Sequence, residues 1–246
     1  MEIQTTTLGG GAGETGTATA GSSKKQIPLY AKTAELETTC RGFVGQRITL
    51  VAEFMGRKIP VTNTNLVGDM LEDIVFHGGL KDLGDFEEGP KQASPDFYAE
   101  DKRFHFEQKS FANNPGFDIG NFESLVAQMT EEGGLFKKLF LTRYLVFQYT
   151  IVDDAVEIKS FDLLNIWEMV GYDGKHPISM QDKRGTWYNI RPQSRSSWSD
   201  ATKTPQRFVD ALKECIRVCP QVQDKEAKIA RIDEQWAAIC SEYTLE

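Results

Sequence analysis

Apolar residues recur at helical spacing in Leu66, Val67, Met70, Leu71, Ile74 and Val75, which predicts an amphipathic helix over 66–76. Asn63-Thr64-Asn65 supplies its cap, and His77-Gly78-Gly79 ends it. A charged loop then runs to Pro95. The pattern next changes from period 3.6 to period two. Phe104 and Phe106 alternate with His105, Glu107 and Lys109, so 104–111 is expected as a strand. A shorter β-prone run at 96–99 precedes it across Glu100-Asp101-Lys102-Arg103, and the two read as a hairpin.

Beyond the Asn113-Asn114-Pro115-Gly116 loop, a helix is expected over 121–129. The run 144–152 is strongly β-prone and is expected to pair with 155–161 across Asp153-Asp154. A helical piece follows at 163–170, then a strand at 187–191 and a polar loop at 192–200. Two helices, 205–219 and 222–243, close the chain. Segment 41–54 mixes helical and β-prone residues and receives no assignment. This order predicts an α/β (α+β) fold rather than a repeating βαβ array. Residues 26–246 are expected as a single domain. Residues 1–25 read as a flexible arm, because 8–25 is rich in Gly, Thr, Ala and Ser and has almost no large apolar residue.

The chain has 246 residues, of which 40% are hydrophobic and 26% charged, a composition suited to a soluble globular protein. No apolar run reaches the roughly 18 residues a membrane span requires, and no secretory signal opens the chain. Four cysteines without a CxxC pair suit a reducing, cytoplasmic setting. Cys215 and Cys219 stand four apart, but no further Cys/His pair completes a zinc set. No P-loop, Rossmann GxGxxG or HExxH occurs, so no nucleotide cofactor is expected. The net charge of −8 argues against nucleic-acid binding by bulk attraction. It leaves room for a site whose carboxylates await a divalent cation.

The hairpin brings that possibility into focus. Pairing centred between Asp101 and Lys102 sets Asp96 opposite Glu107, where like charges destabilise unless something offsets them. A shared cation with oxygen ligands does so, and Mg²⁺ suits one or two carboxylates plus a phosphate. Lys109 falls on the Glu107 face, where its ammonium can meet a phosphate or, with a lowered pKa, the attacking water. Glu72 on the preceding helix offers a third acid, one turn after Gly68, whose small size would let DNA or backbone come close. The competing reading of Glu107 and Lys109 is a solvated charged face on an exposed hairpin, and that of Glu72 an ordinary exposed helix acid.

Pro95-Asp96 followed after ten residues by Glu107-Gln108-Lys109 resembles the type II restriction endonucleases of the PD-(D/E)XK superfamily. The Gly68–Glu72 helix is similar to the one that supplies an extra acid in those enzymes. Phe117-Asp118-Ile119-Gly120-Asn121-Phe122-Glu123-Ser124, and later Met180-Gln181-Asp182-Lys183 through Trp187, resemble the EcoRV-like branch. The chain as a whole resembles the NgoBV/NlaIV-type enzymes. The resemblance implies a central mixed sheet flanked by helices and a homodimer on a palindromic site in double-stranded DNA, in a prokaryotic cytoplasm. It implies Mg²⁺ held by Asp96, Glu107 and a backbone carbonyl near Gln108, with Glu72 as a further acid. Lys109 would activate water, leaving a 5′-phosphate and a 3′-hydroxyl.

Base contacts are expected from Asn189, Arg191, Gln193, Ser194, Arg195 and Ser196, with Gln181 and Lys183 at the groove edge. Arg can pair bidentately with guanine and Gln or Asn with adenine, while Ser suits phosphate. Two reading arginines would mean a G/C-containing site. A plain surface loop is the competing reading of 189–200. Trp167, Trp187 and Trp198 are expected in the core or at its rim, and the C-terminal helices against the core or a partner subunit. A structure-selective resolvase on the same core and a non-catalytic DNA-binding protein remain alternatives, separable by substrate and by cleavage.

Overall fold

The alternation that runs through the middle of the chain becomes a mixed sheet buried on both faces. The computed structural model describes residues 23–60, 63–91, 93–172 and 174–245. In chain order its strands and helices are β1 (Lys25–Gln26), α1 (Thr33–Arg41), β2 (Arg47–Ile48), β3 (Val51–Phe54), β4 (Arg57–Pro60) and α2 (Thr64–Gly78). These are followed by β5 (Phe86–Glu88), β6 (Phe97–Ala99), β7 (Phe104–Phe111), β8 (Gly120–Asn121), α3 (Phe122–Thr130) and α4 (Gly134–Phe136). Then come β9 (Thr142–Val152), β10 (Ala155–Leu164), α5 (Ile166–Met169), β11 (Met180–Lys183), β12 (Thr186–Ile190), α6 (Pro205–Val218), α7 (Lys225–Glu242) and β13 (Tyr243–Thr244).

The central six-stranded sheet has the order β2-β10-β9-β7-β6-β5. Its β7–β9 pair is parallel and its other pairs antiparallel. On β9, Leu145 and Phe147 join a core with α1 and α2, contributed by Leu36, Val67, Leu71 and Val75. Tyr144 and Val146 face the opposite core, with Phe122, Met129, Phe208, Leu212, Ile232 and Trp236. Burial on both sides explains why 144–149 is almost continuously apolar. Among the described residues no helix is long and apolar enough to cross a membrane.

Local chemistry accounts for the element ends. Asn63 Oδ1 accepts from Leu66 N at 3.4 Å at the start of α2, and Asn121 Oδ1 accepts from Ser124 N at 3.0 Å at the start of α3. Thr204 caps α6, which opens with Pro205. Asp153 and Asp154 take φ of 49° and 59°, the paired left-handed conformation that closes the tight β9–β10 hairpin.

Several expectations require correction. The helix expected over 163–170 is confined to Ile166–Met169, because Leu163 and Leu164 stay paired to β9. The charged loop before Pro95 contains a 3₁₀ turn at Leu80–Leu83 and strand β5, and the unassigned 41–54 segment holds β2 and β3. The expected arm falls mostly on residues 1–22, outside the described residues, but Lys25 belongs to β1, parallel to β13. A Cβ on Gly68 would lie 3.3 Å from Ser110 Oγ, so the glycine's small size serves the approach of α2 to β7.

Candidate active site

The β6–β7 register pairs Phe97 with Phe106 and Ala99 with Phe104, the pairing read from the sequence. Asp96 lies one residue before β6, so its side chain stands where Glu107 would have a ladder partner. The amide of Gln108 donates to Asp96 Oδ2 at 2.6 Å. Lys109 Nζ lies 3.3 Å from Glu107 Oε2 and 3.8 Å from Asp96 Oδ2. The three side chains are only 19%, 7% and 17% exposed, for Lys109, Glu107 and Asp96 respectively. Ser94 Oγ donates to Glu107 Oε1, and Lys138 Nζ reaches Ser94 Oγ at 3.4 Å. In the parallel ladder Glu107 pairs with Tyr144 and Lys109 with Val146. At 107–109 the strand is therefore held by β9 on one edge and, past the end of β6, by the Asp96 side chain on the other.

These groups open on a cleft of about 530 Å³. Asp69, Glu72, Asp73, Glu88, Asp96 and Glu107 line it against only Lys91 and Lys109. Burial, with the charge of Asp96, pushes the Glu72 carboxyl up to about 7. Burial also raises Asp96; Lys109 opposes this and Glu107 adds to it. Burial works against the Lys109 ammonium, but Glu107, Asp96 and Glu72 outweigh it, and its pKa lies above the ordinary lysine value. This corrects the expectation of a lowered lysine: without a competing cation, Lys109 is the countercharge of the carboxylates.

Two largely buried carboxylates, Asp96 and Glu107, facing a cleft with further acids in its wall suit a hard divalent cation. Among the described residues no three His, Cys, Asp or Glu side chains converge as a metal-holding group. Asp96 and Glu107 are the pair of side chains that could hold such an ion. Glu72 stands in the cleft wall as a charge neighbour of both Asp96 and Lys109.

A family model described as NgoBV restriction endonuclease matches residues 38–245. The chain belongs to the NgoBV restriction endonuclease family. The type II restriction enzyme NlaIV of Neisseria lactamica is 30% identical over 132 residues, covering 51% of this chain and 51% of that protein. The aligned part thus spans about half the length of this curated relative. A solved NlaIV restriction endonuclease shares the fold, with a TM-score of 0.66 and 21% identity, over 91% of this chain and all of that one. The α+β core with a central mixed sheet is accordingly the restriction-endonuclease one.

In this NgoBV-family chain the expected reading loop leads away from the sheet in a polar run that is partly tied down. Arg191 donates to Gly116 O and lies 2.9 Å from Asp118, which lines a cavity shared with Lys109. Exposed Arg195 holds Asp162 through two bonds, of 2.7 and 3.0 Å. The backbone N–H of Gln193 donates to Met169 O, and its backbone carbonyl accepts from Trp198 Nε1. Ser194 clusters with Ser196 and Ser197 around a 3₁₀ turn. Asn189 pairs with Asn121 on β8, just before α3, whose Ser124, Leu125 and Gln128 line the cavity shared with Glu107 and Lys109. Gln181 is half-buried on β11, and exposed Lys183 lies over the Tyr188 ring at 5.1 Å. Trp167, Trp187 and Trp198 are buried, as are Ile229, Ile232, Trp236 and Ile239 of α7. Sequence reasoning passed over Ser94 and Lys138; Ser94 adjoins the Pro95-Asp96 motif, whereas Lys138 carries no local signal.

Proposed function

We propose that this chain is a Mg²⁺-dependent type II restriction endonuclease that hydrolyses double-stranded DNA in the prokaryotic cytoplasm. It acts as a homodimer on a short palindromic G/C-containing site and leaves 5′-phosphates. The observation that carries the reading is the opposition of Asp96 and Glu107 across the β6–β7 hairpin, with Lys109 beside both. Two like charges at that spacing ask for a cation, and a phosphodiester needs one.

Asp96 and Glu107, with a backbone carbonyl near Gln108, would hold the ion. Mg²⁺ there supplies charge neutralisation at the scissile phosphate and a lowered pKa for bound water. Lys109, beside both carboxylates, would orient the attacking water and stabilise the charge gathering on the phosphoryl oxygens. Water oxygen bonds to phosphorus in line with the departing 3′-oxygen, whose bond breaks, and the proton lost by water passes to solvent or the leaving oxygen. Ser94, donating to Glu107, fixes the orientation of that carboxylate. Glu72 keeps the cleft acidic beside the site. Arg191, Arg195, Asn189, Gln193, Ser194 and Ser196, with Gln181 and Lys183 at the edge, contact the duplex; the arginines must first exchange Asp118 and Asp162 for it.

The test is digestion of unmethylated phage DNA with Mg²⁺ by the wild type, Lys109→Ala and Asp96→Ala. Discrete fragments from the wild type alone support the reading. Intact DNA, or equal cutting by the variants, would overturn it.

A further inference from the structure

Lys138 is a buried lysine, 8% exposed, outside the Asp96–Lys109 motif. Among the described residues its ammonium, a three-donor group, has one hydrogen-bond partner, Ser94 Oγ at 3.4 Å. A buried charge with so little pairing is costly unless a counterion arrives. Lys138 lines two cavities that meet at Ser94. The smaller, of about 200 Å³, also holds Glu107 and Lys109; the larger, of about 310 Å³, holds Lys137 and His105. Ser94 also lines the acidic cleft, so all three cavities share this residue beside the candidate site.

The backbone here is unusual. Lys137–Leu141 forms a π-helical turn, a rare widening that is frequent at functional sites. It leads from α4 into β9, and its buried Leu139 and Phe140 anchor it to the core while Lys137 stays exposed. Lys137 and Lys138 stand together at this end of the larger cavity, with His105 in its wall. Exposed Glu131 and Glu132 also line the larger cavity, so the cationic part is where the two cavities meet.

We propose that Lys138 is a phosphate-binding residue, and that the DNA backbone phosphate next to the scissile one lies at the Ser94–Lys138 junction and takes its ammonium. This rests on the nuclease reading and extends it: one strand passes Asp96 and Lys109 and continues over Ser94 to Lys138 and Lys137. Lys138 acts by positioning. The rival role, a purely structural countercharge relayed to Glu107 through Ser94, involves no contact with DNA.

The two roles separate in salt dependence. Binding of a short labelled duplex DNA is measured by fluorescence anisotropy, with Ca²⁺ in place of Mg²⁺, over a series of salt concentrations. Wild type, Lys138→Met and Lys138→Arg are compared. Each phosphate contact contributes about 0.9 to the slope of log K against log salt for duplex DNA. Lys138→Met is expected to bind more weakly with a slope shallower by about 0.9, and Lys138→Arg to keep the wild-type slope. Should Lys138→Met not fold, Lys138→Gln carries the same comparison. A neutral variant with the wild-type slope overturns this proposal alone. A wild type that binds no DNA overturns it together with the nuclease reading.

Discussion

The Gln108 amide donates to Asp96 Oδ2 at 2.6 Å, so the Asp96 side chain continues the hairpin ladder just beyond the end of β6. Asp96 thus has a backbone to hold as well as a charge to present. Asp96→Asn keeps an acceptor and should keep the thermal midpoint within a few degrees. Its cleavage should fall at least ~10²-fold, the scale of losing one transition-state stabiliser. Asp96→Ala strands the amide and should cost a further ~1–3 kcal/mol of stability. Turnover on plasmid DNA beside thermal denaturation checks both variants.

Lys109 lies 3.3 and 3.8 Å from two largely buried carboxylates, so removing it leaves like charges facing each other. Lys109→Met should lose stability on the scale of a broken buried pair, ~3–5 kcal/mol without divalent ions. Added Mg²⁺ should then raise its melting temperature more than that of the wild type. Equal shifts in a thermal-melt titration would contradict this account.

Glu72 gives a pH signature. Its folded pKa is raised to about 7 from an ordinary 4.5, so between those values the folded chain holds a proton the unfolded chain has lost. The stability tied to that proton is present below the unfolded value and is lost as pH rises through about 7. Glu72→Gln cannot ionise. Without divalent ions its midpoint should match the wild type near pH 5 and exceed it by roughly 2–4 °C above pH 8, about 1 kcal/mol after solvent screening. Melting curves across that range provide the check.

Arg195 is exposed and donates two hydrogen bonds to Asp162, a surface pair worth up to ~1 kcal/mol. Arg195→Ala should therefore melt within a few degrees of wild type. Loss of a bidentate guanine contact would cost ~1–3 kcal/mol of discrimination, relaxing the preference at one base pair. Sequencing the ends of digested DNA reads this directly; an unchanged site would remove Arg195 from the reading set.

The parts legible in the sequence were those with local causes. The hairpin register followed from the symmetry of 96 and 107 about a four-residue connection, and α2 from six apolar residues at one spacing. Helix α1 went unseen because only Leu36 and Cys40 are buried along it. Strand β5 hid in a charged loop because its burial rests on Phe86 alone. Lys138 was invisible for a different reason. Beside Lys137 it looks like surface charge, and only the π-helical turn and the packing of β9 bury it. The acids that hold Arg191 and Arg195 come from distant segments, so no spacing rule reveals them.

The surplus of carboxylates in the cleft has a physiological side. A phosphodiester approaching Asp69, Glu72, Asp73, Glu88, Asp96 and Glu107 meets its own sign of charge, with two lysines in relief. In chelator the resting chain should hold its substrate away. If the proposed metal holds, the neutralisation that would admit the strand is the same one that would arm the site. Admission and cutting would then answer to a single key, the free divalent-ion level, and a chain deprived of it would be harmless to the genome around it.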